Sequence, residues 1–330
     1  MKFVVLTIIS ILLFAANLFF GAIHIPAGDV AGILFGRGEV DQALRFIVLD
    51  SRLPQAITAF LAGAGLAISG LMLQTAFRNP LAGPSILGIS SGASLGVALV
   101  MLISGGAVTV GSMTIGGYAA VVGGALAGSL GIMALLIVIS SAVRNNLLVL
   151  IAGIMTGYLT SSVVTLLSSV TTAEGLQGYV YWGMGSFSDV PAPQLPWFTL
   201  LTVGGIVMSL LLAKPLNILL LGDDYARNLG VRIGRVRNML LLSTGLLTAV
   251  ITAYCGPISF IGMAIPHVAR FYFHTDNHWV LMPASLLLGG IMGLGCNVAS
   301  TIPENSIIPI NALTAVGGVP VILAVIFHRK

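Results

Sequence analysis

Gln55-Ala-Ile-Thr-Ala-Phe-Leu-Ala-Gly-Ala-Gly-Leu-Ala-Ile-Ser-Gly-Leu-Met-Leu-Gln-Thr-Ala76 runs for twenty-two residues without a charge. A helix needs about 20 such residues to cross the hydrocarbon core of a bilayer. The Gly, Ala and Ser within it let neighbouring helices approach closely, where lipid tails are as apolar as any side chain. Nine further apolar segments stand near residues 3–23, 85–105, 112–140, 147–170, 196–213, 237–255, 257–272, 279–300 and 307–327. Only 7% of the 330 residues are charged, against about 25% in a soluble domain, and mean hydropathy is +1.06. So few charges could not hydrate the surface of a soluble fold of this length. No segment alternates as a membrane β-barrel strand does. The chain therefore reads as an all-α membrane protein of ten transmembrane helices, one domain over residues 1–330.

Orientation follows from Lys and Arg, which concentrate on the cytoplasmic side. With the N-terminus inside, Lys2, Arg78, Arg144, Lys214, Arg227, Arg232, Arg235, Arg237, Arg270, Arg329 and Lys330 face the cytoplasm, and only Arg37, Arg45 and Arg52 lie outside. Seven acids lie outside and three inside. Both termini are thus expected in the cytoplasm, and a net charge of +4 spread over short gaps does not suggest nucleic-acid binding. The apolar stretch after Lys2 exceeds the 7–15 residues of a signal-peptide core, which favours a retained first span. Cys255 and Cys296 read as small packing residues.

Two outer gaps, 24–54 and 171–195, are longer than turns. In the second, Tyr179, Tyr181 and Trp182 read as an interfacial aromatic belt, with a short helix at the mouth of a pathway as the alternative. Gly83-Pro84-Ser85-Ile86-Leu87-Gly88 follows the second span, and Gly256-Pro257-Ile258-Ser259-Phe260-Ile261-Gly262 follows the seventh. An echo five spans apart suggests a 5+5 inverted repeat, a common transporter architecture.

The chemistry that is missing is informative. Away from the cytoplasmic ends where Arg237 and Arg270 stand, none of the ten segments contains Asp, Glu, Lys or Arg. Ion-coupled transporters usually carry such groups within the membrane, so that class is the competing reading rather than the favoured one. The sequence has no G-x-x-x-x-G-K-[ST] phosphate loop, no nucleophile-and-base constellation and no convincing metal-ligand spacing. His274 and His278, four residues apart, lie in a polar loop and do not make a metal site.

One cytoplasmic segment is organised: Leu221-Gly-Asp-Asp-Tyr-Ala-Arg-Asn-Leu-Gly-Val-Arg-Ile-Gly-Arg235. Asp223 or Asp224 can cap a helix, and Gly230 suits the left-handed residue that ends one. A short amphipathic helix between the sixth and seventh spans is a candidate docking element for a soluble subunit.

Here the sequence resembles the FecCD-type permeases, the membrane subunits of ATP-binding-cassette importers for iron–siderophore, haem and cobalamin. The matching stretches are Arg52-Leu-Pro54, Gly63-Ala-Gly-Leu-Ala-Ile-Ser-Gly70 with Gln74, Arg78-Asn-Pro-Leu-Ala-Gly-Pro-Ser-Ile-Leu-Gly88 and Ser90-Ser-Gly-Ala93. Trp182-Gly-Met-Gly-Ser186, Gly222-Asp223 with Ala226 and Leu229-Gly230, Gly256 to Gly262 with Pro266-His267 and Arg270, Leu281-Met-Pro283 with Ser285, and Thr314-Ala315 with Gly318 and Pro320 complete the match.

The resemblance implies a bacterial inner-membrane permease that pairs with a second permease copy around a central path. It also implies two cytoplasmic ATPase subunits, which bind ATP and Mg, and an extracytoplasmic substrate-binding protein; this chain itself needs no cofactor. Gly222, Asp223, Asp224, Ala226, Arg227, Leu229 and Gly230 match the ATPase-coupling element. Candidates for the path and its gate are Gln74, Asn79, Pro80, Ser90, Ser91, Asn145, Asn146, Pro266 and His267.

The chain departs from the family pattern on its outer side. Gln55 stands where a second arginine often follows Arg-Leu-Pro, Cys296-Asn297-Val-Ala-Ser300 replaces Ala-Asp-x-x-Ala-Arg, and Ile307-Ile-Pro-Ile-Asn311 replaces Glu-Leu-Pro-x-Gly. Arg52 remains as the family-type docking cation. Arg37 and Arg45 either join it or pair locally with Asp29, Glu39, Asp41 and Asp50.

Overall fold

The computed structural model describes residues 1–21, 23–36, 41–103, 115–143, 146–302 and 308–328. Every described regular element is helical. The first is α1 (Lys2–Phe19), followed on the outer side by α2 (Ala27–Phe35) and α3 (Gln42–Phe46). A π-turn over Ile47–Arg52 joins α3 to α4 (Leu53–Phe77), so residues 42–77 form one continuous helix. The outer gap expected over 24–54 is therefore two helices rather than a loop. Its charges, among them Asp41, Arg45 and Asp50, hid the second from a hydropathy reading.

Next come α5 (Ile89–Ile103), α6 (Ile115–Ala142), α7 (Asn146–Ser169) and the short outer α8 (Ala173–Gly183). Then follow α9 (Leu195–Leu210), α10 (Ala213–Leu219), α11 (Asp223–Asn228), α12 (Ile233–Cys255), α13 (Ile261–Phe273), α14 (His278–Thr301) and α15 (Ile310–His328). Each of the ten apolar segments holds one of these helices. Six are long and apolar enough to span a bilayer, and α9 with α10 makes a seventh if their 45° bend counts as one broken span. Helices α5, α13 and α15 are shorter.

Local chemistry sets the ends. The side chains of Asp41, Thr172 and Asn277 accept from Ala43 N, Gly175 N and Trp279 N at 3.0, 3.2 and 3.0 Å, capping α3, α8 and α14. Arg78 and His274 close α4 and α13 in the left-handed conformation.

Helices α4 and α12 are the centre of the bundle, with 83% and 78% of their apolar windows buried; α1 and α7 lie at the rim with 22% each. Glycine lets the central helices touch backbone to backbone. A Cβ on Gly63 of α4 would strike the carbonyl of Gly289 on α14, and one on Gly96 of α5 would strike Gly124 of α6. Gly289-x-x-x-Gly293, Gly92-x-x-x-Gly96 and Gly124-x-x-x-Gly128 are the small-residue pairs that such contacts require.

The two Gly-Pro segments meet inside the bundle. Gly262 abuts Pro84, and a Cβ on Gly70 would collide with the Gly262 backbone. Gly70 lies seven residues from the end of α4, about 10 Å along its axis, so non-helical backbone reaches membrane depth. That is tolerable because Gly83, Pro84, Gly256 and Ile258 are buried in protein rather than open to lipid.

Candidate functional site

The segment expected to act as the coupling element lies between α10 and α12 at one end of the bundle. Helix α11 starts after Gly222, whose φ of 108° only glycine adopts readily. Asp223 and Asp224 therefore occupy its first turn, where acids suit the helix dipole, and neither is the residue preceding the helix. The side chain of Asp223 lies outside the described residues. At the other end Gly230 N donates to Arg227 O and Val231 N to Ala226 O, both at 2.9 Å. With Gly230 at φ +79°, this is a Schellman closure, as the sequence suggested.

Ala226 is fully buried and shares a core cluster with Leu216, Leu219 and Val236. That contact roots the helix on the bundle. Apolar side chains on and beside it are exposed: Leu221 just before the helix is 60% exposed, Tyr225 within it 67% and Leu229 at its end 61%. Arg227 approaches exposed Asp224 at 4.0 Å, too loose and too wet to fix the helix.

Behind α11 the elements are tied together by buried polar contacts. His278, fully buried at the start of α14, places its two ring nitrogens 2.8 Å from Thr75 Oγ1 on α4 and from Asn217 Oδ1 on α10. Gln74 receives Arg270 Nη1 at 2.7 Å and donates to Met263 O at 3.0 Å, while Arg270 also faces Asp276 at 3.4 Å. The His267 ring lies 2.7 Å from Pro80 O. Thus Gln74, Pro80, Pro266 and His267 converge where α4 meets α13. Asn79 makes a local turn, accepting from Leu81 N at 2.9 Å. Arg237, 8% exposed, donates to the carbonyls of Ser140 and Val143 and so caps the C-terminal end of α6.

Other candidate path residues lie elsewhere. Ser90 is 3.4 Å from Thr252 Oγ1 between α5 and α12, and Ser91 faces Gly157 on α7. Asn145 lies outside the described residues, and Asn146 opens α7 with its side chain undescribed. Sequence reading missed His278, Thr75 and Asn217. Nothing in local spacing joins residues whose positions differ by 203 and 61.

The outer face requires two corrections. Arg52 is only 5% exposed, and its guanidinium donates to the carbonyls of Leu18 (2.8 Å), Phe19 (3.0 Å) and Ile23. A guanidinium so committed closes the end of α1 and is withdrawn from any partner's carboxylate. Arg45 is exposed and makes no ion pair among the described residues; Arg37 lies outside them. The aromatic belt also divides. Tyr181 is 56% exposed, but Trp182 is buried at 4% on the inward face of α8, the short helix of the alternative reading. The Trp182–Ser186 stretch packs on the second Gly-Pro segment, with Ser186 N donating to Cys255 O at 2.9 Å and Asn311 Nδ2 to Gly183 O at 3.3 Å.

Three comparisons with known proteins bear on this arrangement. The model of the FecCD transport family matches residues 7–328. The hemin transport system permease protein HmuU of Yersinia pestis is 33% identical over 299 residues, covering 88% of this chain and 86% of its own length. The vitamin B12 import system permease protein BtuC of Salmonella typhi is 34% identical over 291 residues, covering 88% and 84%. A solved inward-facing structure of a metal-chelate type ABC transporter superposes with a TM-score of 0.84 at 28% identity, covering 99% of each chain. With that match over nearly the whole length, this chain belongs to the FecCD transport family.

Proposed function

We propose that this chain is the membrane-spanning permease subunit of an ATP-binding-cassette importer that carries a metal chelate, haem or a cobalamin into the cell. It takes the relatives' cargo class as its guide to substrate. The observation that carries the reading is the surface of α11. Three apolar side chains stand more than half exposed, one on the helix and one beside each of its ends, and the helix is rooted in the bundle by Ala226 and closed by Gly230. Water penalises that surface, and a soluble subunit that covers it gains the burial.

The finer architecture belongs to the same reading: ten crossings, two inverted halves and both termini in the cytoplasm of a bacterial inner membrane. The meeting of the two Gly-Pro segments supports the inverted repeat, since they follow spans five apart, the second and the seventh. A second copy of the permease would face α7, whose Tyr158, Ser162, Thr165 and Ser169 recur on one exposed face. Two ATPase subunits binding ATP and Mg, and an outer binding protein, complete the machine.

The test is Tyr225→Asp with Leu229→Asp in the full chain, co-expressed with its partner ATPase. ATPase co-purification and cargo uptake should both fall at least tenfold while the thermal midpoint of the permease holds. Undiminished association would show that α11 is only a connector.

A further inference from the structure

Helix α10 is seven residues long and stands between two breaks, the 45° bend after α9 and the turn at Gly222 that begins α11. Its Leu216 and Leu219 share a buried cluster with Ala226, so α11 rests on it. That contact is apolar and couples α11 to α10. What couples α10 onward is polar and directional.

Asn217 of α10 makes three hydrogen bonds to the start of α14. Its Nδ2 donates to Asn277 Oδ1 at 2.8 Å, and Asn277 Oδ1 also accepts from Trp279 N at 3.0 Å. That fixes the orientation of the Asn217 amide, since its oxygen could not donate to Asn277. Asn217 Oδ1 then faces His278 and accepts from both His278 N and His278 Nδ1, each at 2.8 Å. Nδ1 thus carries the ring proton, and in the neutral ring Nε2 is an acceptor. Thr75 Oγ1 on α4 stands 2.8 Å from that nitrogen, closer than its 3.1 Å to Leu71 O, and donates to it. The neighbouring Gln74 holds α13 through Arg270 and Met263 O.

His278 has no exposed surface and Thr75 is 7% exposed, so water cannot stand in for a partner pulled away from the ring. Each buried group left unsatisfied costs about 1–3 kcal/mol. Shifting α10 past α14 would break all three bonds to Asn217, whereas moving the two helices together breaks none. A satisfied buried network of this kind rigidifies the elements it joins, and α10, the start of α14 and the end of α4 then move as one body.

We propose that Asn217, His278 and Thr75 form the joint through which movement of α11 passes to α14 and then to the end of α4, at the centre of the bundle. The inference rests on the reading of α11 as the ATPase-docking element and adds the residues that carry its movement onward. All three act through the elements they hold and are positioning residues. Geometry sets the order: Asn217 joins α10 to α14, and His278 Nε2 joins α14 to α4.

The experiment uses the full chain with Cys255→Ala and Cys296→Ala, labelled with bimane before the partner ATPase is added. One reporter is Trp279→Cys at the start of α14, the other Leu81→Cys just past α4; both native side chains are exposed. With the joint intact, the ATPase with ATP and vanadate should shift bimane emission at both positions. Asn217→Leu should cut the shift at least fivefold at both. Thr75→Val, which replaces the hydroxyl by a methyl, should cut it at Leu81→Cys and spare it at Trp279→Cys, and Thr75→Ser should restore it. His278→Asn, whose amide can face Asn217 but stops short of Thr75, should repeat the Thr75→Val pattern. ATPase association should hold within twofold throughout, a combination that general loosening of the fold does not produce. Equal effects of Thr75→Val at the two reporters, no effect of Asn217→Leu at either, loss of the ATPase from both variants, or an intact complex that shifts neither reporter would overturn the joint. If the chain with the joint intact retains no ATPase, the docking reading itself fails and the joint falls with it.

Discussion

Gly230 holds φ +79° with open space where a Cβ would stand, so the cost of a side chain there is backbone strain alone. Gly230→Val should cost about 1–3 kcal/mol locally and present α11 at the wrong angle. Uptake and ATPase association are expected to fall while the thermal midpoint of the bundle stays, and Gly230→Asn should retain most function because Asn tolerates the left-handed region. Arg52 behaves differently. Arg52→Gln strands buried carbonyls at the end of α1 and should lower stability by about 2–4 kcal/mol, read in a thermal scan. It should leave the salt dependence of binding-protein docking unchanged, whereas Arg45→Glu with Arg37→Glu tests the other two outer arginines directly. At Asp189, in the loop between α8 and α9, burial pushes the carboxyl up to about 6, so it binds protons in the fold that the unfolded chain, titrating near 3.8, has already lost. Stability therefore falls as pH rises from about 4 through 6. Asp189→Asn should be more stable at pH 7.5 by at most about 3 kcal/mol, less where water reaches the carboxylate, and no more stable at pH 4.

Among the elements, the closest packing is where glycine faces glycine. Gly289→Val would drive a side chain into the Gly63 carbonyl, force α14 off α4 and cost about 1–3 kcal/mol or more. Gly295→Ala, on the same helix but facing open space, should be nearly neutral, and thermal unfolding of the two variants in one detergent makes the comparison. The apolar helices were legible because hydropathy is a property of each segment by itself, and the left-handed Gly230 because glycine after a short amphipathic run has few other uses. The helix over 42–54 was not, because its outer residues carry the charges of a loop. Arg52 was misread for a related reason: its acceptors are backbone carbonyls 29 to 34 residues away, invisible to any reading of side-chain types. Trp182 misled similarly, since a belt tryptophan and a buried one have the same neighbours in sequence. The Gln74–Arg270 and Thr75–His278 contacts join positions some 200 residues apart and needed the fold.

At the scale of the molecule, charge is confined to the ends of the bundle. The buried Arg237 and the half-buried Arg270 sit at one rim, bonded to carbonyls and to Gln74, and among the described residues no Asp, Glu, Lys or Arg lies between the rims. On the proposed reading, the energy for transport arrives through α11, from a subunit that hydrolyses ATP. Cargo uptake by proteoliposomes holding the permease, its partner ATPase and internal ATP, with the binding protein outside, tests this most directly. Uptake should require both ATPase and ATP and should persist when a protonophore collapses the proton gradient. Uptake by the permease alone, driven by an imposed gradient and abolished by the protonophore, would contradict the account.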